Sequence, residues 1–384
     1  MSGTTYRIAA IPGDGVGPEV VTAAREVLDA AGPVFGFEVE WTEVVAGGAA
    51  IDMFGIAIRD EDVARCGEAD AVLLGAVGGP KWADPSSPVR PEQALFALRG
   101  GLGLFANLRP VTIHPALVAA SPLRPELLEG VDLLIVRELT GGLYFGGRVE
   151  PIGEPGERVA SDSLPYTEPE IRRVVRLAFE LARARRGRLT SVDKANVLAT
   201  SRLWRSVAED VRTDFPDVEL SHQLVDSCAM LLVKEPARFD VLVTENLFGD
   251  ILSDEASVLA GSLGMLPSAS LGEGRTAHGT FGLYEPIHGS APDIAGRDLA
   301  NPIGTVLSAA MLLRLSLGRE DAAGAIEAAV SRALDDGFRT ADITGTAAVA
   351  QGASVAATRR MTEAIIDRIA VTAPAREPAA ARPS

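Results

Sequence analysis

Asp250 and Asp254 stand four residues apart in FGDILSDEAS, directly after the apolar run VLVTEN. On a helix that spacing puts two carboxylates on one face, where like charges cost about 0.2–0.5 kcal/mol unless something offsets them. The positive end of a helix tolerates the first acid, but the dipole fades within a turn and leaves the second without a reason. A bound cation accounts for both, and a third acid, Asp226, closes the segment ELSHQLVD. All-oxygen ligation selects a hard ion, Mg2+ or Mn2+, over zinc. Ligands of open α/β sheets gather beyond the carboxyl ends of strands, so the three acids are expected to converge there.

Other residues with chemistry to offer also end or follow apolar segments. Arg137 closes DLLIVR, Lys194 follows RLTSVD, and Arg99 and Arg109 flank the glycine-rich turn of LRGGLGLFANLRP. Guanidinium pairs bidentately with carboxylate, so three arginines beside a divalent cation suit a substrate with more than one carboxylate. Taken singly, each arginine is accounted for as a surface residue or a structural ion-pair partner. Tyr144 sits among the glycines of GGLYFG. Taken singly it is a packing residue; the alternative is a proton donor presented by an unusually free backbone.

The elements that must position these residues alternate between short apolar runs and amphipathic ones, as in parallel strands joined by crossover helices. YRIAAI, DAVLLGAV, DLLIVREL, RLTSVD, ELSHQLVD and DVLVTEN read as strands. A helix is predicted from Pro18 to Ala31, with Gly32-Pro33 as its stop. Another opens on the capping box Thr167-x-x-Glu170 and closes on the basic run at Arg183–Arg188, whose arginines and Gly187 suit a helix C-terminus. The glycine- and proline-rich stretch 140–163 reads as an extended arm, a hairpin or a plain surface loop. Strand YRIAAI runs into PGDGVGPE, which superficially resembles a dinucleotide fingerprint. It fails because the position that needs a third small residue holds Pro18, and it reads instead as a tight turn whose proline opens the helix.

Composition bounds the function. With 384 residues, 47% hydrophobic, the chain can bury a sizeable core in one large domain or two ordinary ones. A formal net charge of −16 argues against a general nucleic-acid binder. Cys66 and Cys228 lack C-x-x-C spacing, and four scattered histidines make a zinc site unsupported. No run of 18 apolar residues or signal-peptide pattern is present, so the expectation is a soluble, cytoplasmic protein without membrane or nucleic-acid partners.

Seven motifs in order, RPEQALFALR, LFANLRP, VRELTGGLYFG, SVDKANVL, FGDILSDEAS, GSLGMLPSASLG and YEPIHGSAPDIAG, resemble the 3-isopropylmalate dehydrogenases of the β-decarboxylating dehydrogenase superfamily. The resemblance runs from about Arg7 to the last helix. It implies an α/β fold in which two α/β domains share one large mixed sheet across a central cleft, without a Rossmann fingerprint. The domains would be 1–104 with 261–373, carrying the cofactor segments, and 105–260, carrying metal and substrate residues and a dimerisation arm near 140–163; 374–384 would be a disordered tail.

The resemblance further implies NAD-dependent oxidative decarboxylation of a 2-hydroxy dicarboxylate in leucine biosynthesis, by a homodimer with shared sites. Arg99, Arg109 and Arg137 would clamp the carboxylates. Asp226, Asp250 and Asp254 would hold Mg2+ or Mn2+, and Asp226 would also meet the substrate. Lys194 would help take the C2 hydroxyl proton, a role that suits lysine beside positive charge and in a buried setting. Asp226 and Lys194 would both come from the partner subunit. Tyr144 would protonate the carbon left after CO2 departs. Glu92, Leu95 and Phe96, with Val197 from the partner, would line the side-chain pocket, where Phe96 departs from the family's usual leucine and Ala94 from a common glycine. The cofactor segments would be Gly79 to Glu92 and Gly289 to Asn301, including Ser290, Ala291, Pro292, Asp293 and Ile294, with His288 stacking near the adenine. A carboxylate at Asp293 accepts from both ribose hydroxyls and repels a 2′-phosphate, which favours NAD over NADP; in isolation the same residue reads as the cap of a short turn. D-malate and tartrate dehydrogenases of the same superfamily are the enzyme alternatives, and a catalytically silent NAD-binding scaffold is the alternative of another class.

Overall fold

The computed structural model describes residues 3–84, 87–344 and 354–372. The expected tail at 374–384 lies outside them, as do residues 85 and 86 of the first expected cofactor segment. Twelve strands carry the architecture: β1 (Thr4–Gly13), β2 (Phe37–Glu43), β3 (Ala71–Ala76), β4 (Leu104–Thr112), β5 (Asp132–Glu138), β6 (Arg148–Ile152), β7 (Val159–Asp162), β8 (Arg188–Asp193), β9 (Glu219–Leu224), β10 (Val241–Thr244), β11 (Pro267–Arg275) and β12 (Thr280–Pro286). Ten form one mixed sheet in the order β2-β1-β3-β12-β11-β4-β5-β10-β8-β9. The flanks are parallel, but β12, β11, β4 and β5 run alternately antiparallel through the middle. The mixed sheet that the resemblance implied is present, and its antiparallel part is the centre, where β11 and β12 form a hairpin and β4 and β5 pair on its flank.

Helices cover both faces: α1 (Gly17–Phe35), α2 (Gly48–Phe54), α3 (Asp60–Gly67), α4 (Gln93–Gly101), α5 (Glu168–Arg183), α6 (Ala199–Arg212), α7 (Val225–Lys234), α8 (Asn246–Ser257), α9 (Ile303–Leu315), α10 (Glu320–Asp335) and α11 (Thr358–Thr372). In α5, Ile171, Val174, Val175, Ala178 and Phe179 are fully buried. That stripe repeats at helical spacing, and each large side chain contributes about 1.5–3 kcal/mol by leaving water. Its first turn is capped as expected, with Glu170 accepting from the Thr167 amide at 2.8 Å.

Two element boundaries differ from expectation. α1 continues through Pro33 and ends at Gly36, whose left-handed backbone (φ 75°) and amide bond to Gly32 close the helix. Proline stops a helix only where the lost hydrogen bond and ring clash are not absorbed, and packing keeps the last turn here. β9 stops at Leu224, so Asp226 lies in the first turn of α7 rather than on the strand. The basic run after α5 does more than meet a dipole: Arg185 and Arg186 close on Asp240, a carboxylate 1% exposed. The stretch 140–163 contains the antiparallel hairpin β6–β7, exposed along both strands.

Candidate active site

Strand pairing builds the site from a polar row on one face of the sheet centre. Arg137 of β5 stands opposite Asn107 of β4, Asn107 opposite Ser270 of β11, and Ser268 opposite Glu285 of β12. Residues two apart on a strand share a face, so Arg109 joins Asn107, and Ser268 joins Ser270, on that side. Arg109 donates from Nε to Asn107 Oδ1 at 2.7 Å, which fixes its plane. Arg99 of α4 reaches the row from its end, donating to Glu285 Oε1 at 3.2 Å, and its charge is felt at both Arg109 and Arg137. The three expected arginines thus meet on the face of the sheet, more than beyond its carboxyl edge. All three are buried.

Helix α8 lowers the acids onto this row. Its N-cap is Glu245, which accepts from Leu247 N at 3.1 Å and Phe248 N at 2.8 Å, so the helix start needs neither aspartate. Asp250 pairs with Arg137 and approaches Arg109 at 3.8 Å, while Asp254 accepts from Arg109 at 3.1 Å. The two acids therefore share Arg109, and their repulsion is already relieved within the chain. Tyr144 donates to Asp250 Oδ2 at 2.7 Å and lies under the Arg137 guanidinium, 5.7 Å from ring centre to Cζ.

Electrostatics follow from this crowding. Burial brings the Arg137 guanidinium down to about 10 against the opposing pull of Asp250, and burial lowers Arg109 as well. Burial and the bond to Asp250 push the Tyr144 hydroxyl up to about 12, so it keeps its proton at neutral pH. Cys66 and Cys228 are both buried, with thiols pushed up to about 12, and take no part.

Asp226 and Lys194 do not join the cluster within one chain; the resemblance assigns both to the partner subunit. They pair with each other at 2.5 Å, on the β8–β9 side of the sheet, and Lys194 holds Asp226 below the usual carboxylate range. The neighbour of Lys194 is thus a carboxylate rather than the cation its expected role called for. Among the described residues no group of three His, Cys, Asp or Glu side chains is placed to hold a metal. What Asp250 and Asp254 offer is a pair of hard oxygen donors held by one arginine, a set that fits Mg2+ or Mn2+ once further oxygen ligands are supplied.

Of the expected pocket residues, Glu92, Leu95 and Phe96 lie at the start of α4, while Val197 lies between β8 and α6. Glu92 is the N-cap position of α4 and approaches Gly78, while Leu95 packs on the apolar layer under the helix. Phe96 is 41% exposed and meets Phe145 edge-on at 5.7 Å, which turns its ring toward the residue after Tyr144. Val197 is 62% exposed.

The second expected cofactor segment follows β12. His288 Nδ1 lies 2.9 Å from Gly289 O, while its buried Nε2 has no partner, and burial lowers its basicity. An orphaned ring nitrogen beside the open Gly289 fits a ligand group. The carboxylate of Asp293 is exposed and caps nothing among the described residues, which leaves it free to accept ribose hydroxyls. Asn301, by contrast, is committed to the fold: Oδ1 accepts from Ile303 N at 3.0 Å and Nδ2 donates to Asp342 at 3.0 Å. Gly79 begins the first segment in extended backbone.

Five participants escaped the sequence reading: Asn107, Glu245, Asn246, Ser253 and Glu285. Asn246 Nδ2 donates to Gly141 O at 3.2 Å, Ser253 accepts from Arg109 at 2.7 Å, and Tyr166 donates to Glu138 at 3.0 Å behind them. Only the strand register could have found the first and last of the five, because it is the pairing across β5, β4, β11 and β12 that brings Asn107 and Glu285 into one row.

Residues 7–365 match the isocitrate/isopropylmalate dehydrogenase family model. The chain is 57% identical over 367 residues to a 3-isopropylmalate dehydrogenase of Anaeromyxobacter dehalogenans, covering 95% of this chain and 99% of that one. It is 57% identical over 360 residues to the Geobacillus kaustophilus 3-isopropylmalate dehydrogenase, covering 94% of each. The crystal structure of isocitrate dehydrogenase from Methylococcus capsulatus superposes with a TM-score of 0.81 at 36% identity, over 95% of this chain and 99% of that one.

Proposed function

The chain belongs to the isocitrate/isopropylmalate dehydrogenase family, and on that premise we propose that it oxidatively decarboxylates (2R,3S)-3-isopropylmalate to 4-methyl-2-oxopentanoate and CO2 in leucine biosynthesis. NAD+ is the proposed oxidant and Mg2+ or Mn2+ the proposed metal. The observation that carries the reading is the polar row: three buried arginines on one sheet face beside two carboxylates and a protonated tyrosine.

Arg99, Arg109 and Arg137 orient a dicarboxylate by charge and by the planar match of guanidinium to carboxylate. Asp250 and Asp254 hold the metal, with Asp226 of a second copy as third ligand; the exposure of Asp226, 64% at its side chain, supports its reaching outward. When bound, NAD+ supplies the hydride acceptor and the divalent ion supplies Lewis-acid charge. Lys194, also from the second copy, takes the proton from the C2 hydroxyl. Once the C3 carboxylate has left as CO2, Tyr144 hands its proton to C3. His288 and Asp293 serve the adenosine half of the cofactor, and the exposed Asp293 carboxylate supports NAD over NADP.

A homodimer is part of the proposal. Met230 and Val233 on α7 and Ile251 on α8 leave an exposed apolar stripe, and Ile152 and Val159 do the same on the β6–β7 hairpin. A fully active monomer in sedimentation would contradict it. The domains are proposed as 1–104 with 261–373, and 105–260, so that the boundary in the sheet falls between β11 and β4. No helix among the described residues is long and apolar enough to cross a membrane, and a cytoplasmic location is proposed.

The test is kcat/KM of the purified chain on 3-isopropylmalate, D-malate and tartrate with NAD+ and Mg2+. Isopropylmalate is expected to lead by well over tenfold; a strong preference for D-malate or tartrate overturns the assignment.

A further inference from the structure

The turn between β1 and α1, PGDGVG, lacks the spacing of a phosphate loop, yet it touches the second expected cofactor segment and the residue immediately before the first. Asp14 is 6% exposed and its carboxylate accepts three backbone amides: Gly48 and Gly78 on Oδ2, each at 2.8 Å, and Ala49 on Oδ1 at 2.9 Å. Gly78 immediately precedes Gly79, where the first segment begins. On the other side of the same turn, Val16 donates to Ser290 O at 2.8 Å, inside the second segment. Gly15 has φ 59°, and a Cβ there would stand 1.9 Å from Ser290 O. Val16 and Val20 also pack with Ala291, Ile294 and Ala300.

Resting on the NAD reading above, we infer that Asp14 is a positioning residue: through one turn it holds the segment starting at Gly79 and the segment Gly289–Ile294 in fixed register, so that both meet the same cofactor. The physical basis is the strength and direction of the contacts. A carboxylate accepting three amides makes charge-assisted bonds, which are shorter and stronger than neutral ones. An amide side chain cannot replace it. An NH2 at the Oδ2 position opposes two N–H donors, and the flipped amide opposes that of Ala49. The turn glycines supply the other half, since Gly15 alone permits the backbone to lie against Ser290. No atom of Asp14 has to touch the cofactor for the effect.

The test combines calorimetric titration of NAD+ into the metal-loaded protein with amide deuterium exchange of the free protein. Asp14→Asn is expected to raise the NAD+ Kd by about tenfold or more. Its kcat at saturating NAD+ and its KM for isopropylmalate should stay within about threefold of the parent, a split that general destabilisation would not give. In the free protein, exchange should quicken not only at Gly48, Ala49 and Gly78 but also across Gly289–Ile294. Gly15→Ala keeps Asp14 and its donors in place and is expected to loosen Gly289–Ile294 with Gly78 still protected, which keeps the test open if Asp14→Asn does not fold. An unchanged NAD+ Kd, or exchange at Gly289–Ile294 untouched by either variant, overturns the inference. If the parent itself does not bind NAD+, the cofactor reading falls instead, while the exchange measurement still decides whether the turn couples the two segments.

Discussion

Asn246 Oδ1 accepts from both Nε and Nη2 of Arg137, at 3.1 and 2.9 Å. One side chain thus sets the plane of a guanidinium proposed to face a substrate carboxylate, while Asn246 itself is held by Gly141 O and by the Tyr166 hydroxyl, which accepts from its backbone N–H at 3.0 Å. Asn246→Ala removes both acceptor contacts from a buried cation. The expected outcome is a rise of about ten- to a hundredfold in KM for isopropylmalate, with NAD+ affinity unchanged, read by steady-state kinetics and calorimetry.

Tyr144→Phe removes the hydroxyl assigned to protonate C3. kcat is expected to fall by about a hundredfold or more with KM within a few-fold, because the carboxylate clamps are intact. Equal kcat in the two proteins would remove Tyr144 from the chemistry.

Lys194→Ala deletes the proposed acceptor of the C2 hydroxyl proton. Turnover should be abolished while NAD+ still binds. Because the Asp226 end of its ion pair is open to solvent, which screens the charges, the melting temperature should barely move. A normal kcat would show that the proton goes elsewhere.

Asp254→Ala removes one of the three proposed metal ligands. The Mg2+ concentration for half-maximal activity is expected to rise at least about tenfold, and EDTA should silence the parent enzyme. Full activity of the parent after exhaustive chelation would defeat the metal assignment.

The alkaline limb of the pH profile should report Arg137. Burial brings it down to about 10, so its charge, and with it carboxylate binding, is lost as pH rises through about 10. KM for isopropylmalate should therefore climb there. The stability term has the opposite sign: above about 10, and until the ordinary guanidinium also titrates, the unfolded chain holds the proton that the folded chain has lost, so this group favours folding as pH rises. Circular dichroism should accordingly show the fold persisting after binding weakens.

The sequence alone disclosed the residue types, the ion class they suit and most flanking strands, because apolar runs and capping residues act locally. It also read PGDGVGPE as a tight turn whose proline opens a helix, and Pro18 does stand in the first turn of α1. It missed β4, β11 and β12 as an antiparallel centre, and placed Asp226 on a strand that ends two residues earlier. Tertiary structure decided the rest. Strand register, which is set by partners far away in sequence, brought Arg109, Arg137 and Glu285 onto one face; and α8, capped by Glu245, set Asp250 and Asp254 around a shared arginine instead of beside Asp226. Pairing across a sheet depends on which strand lies next door, and no local pattern of residues carries that information.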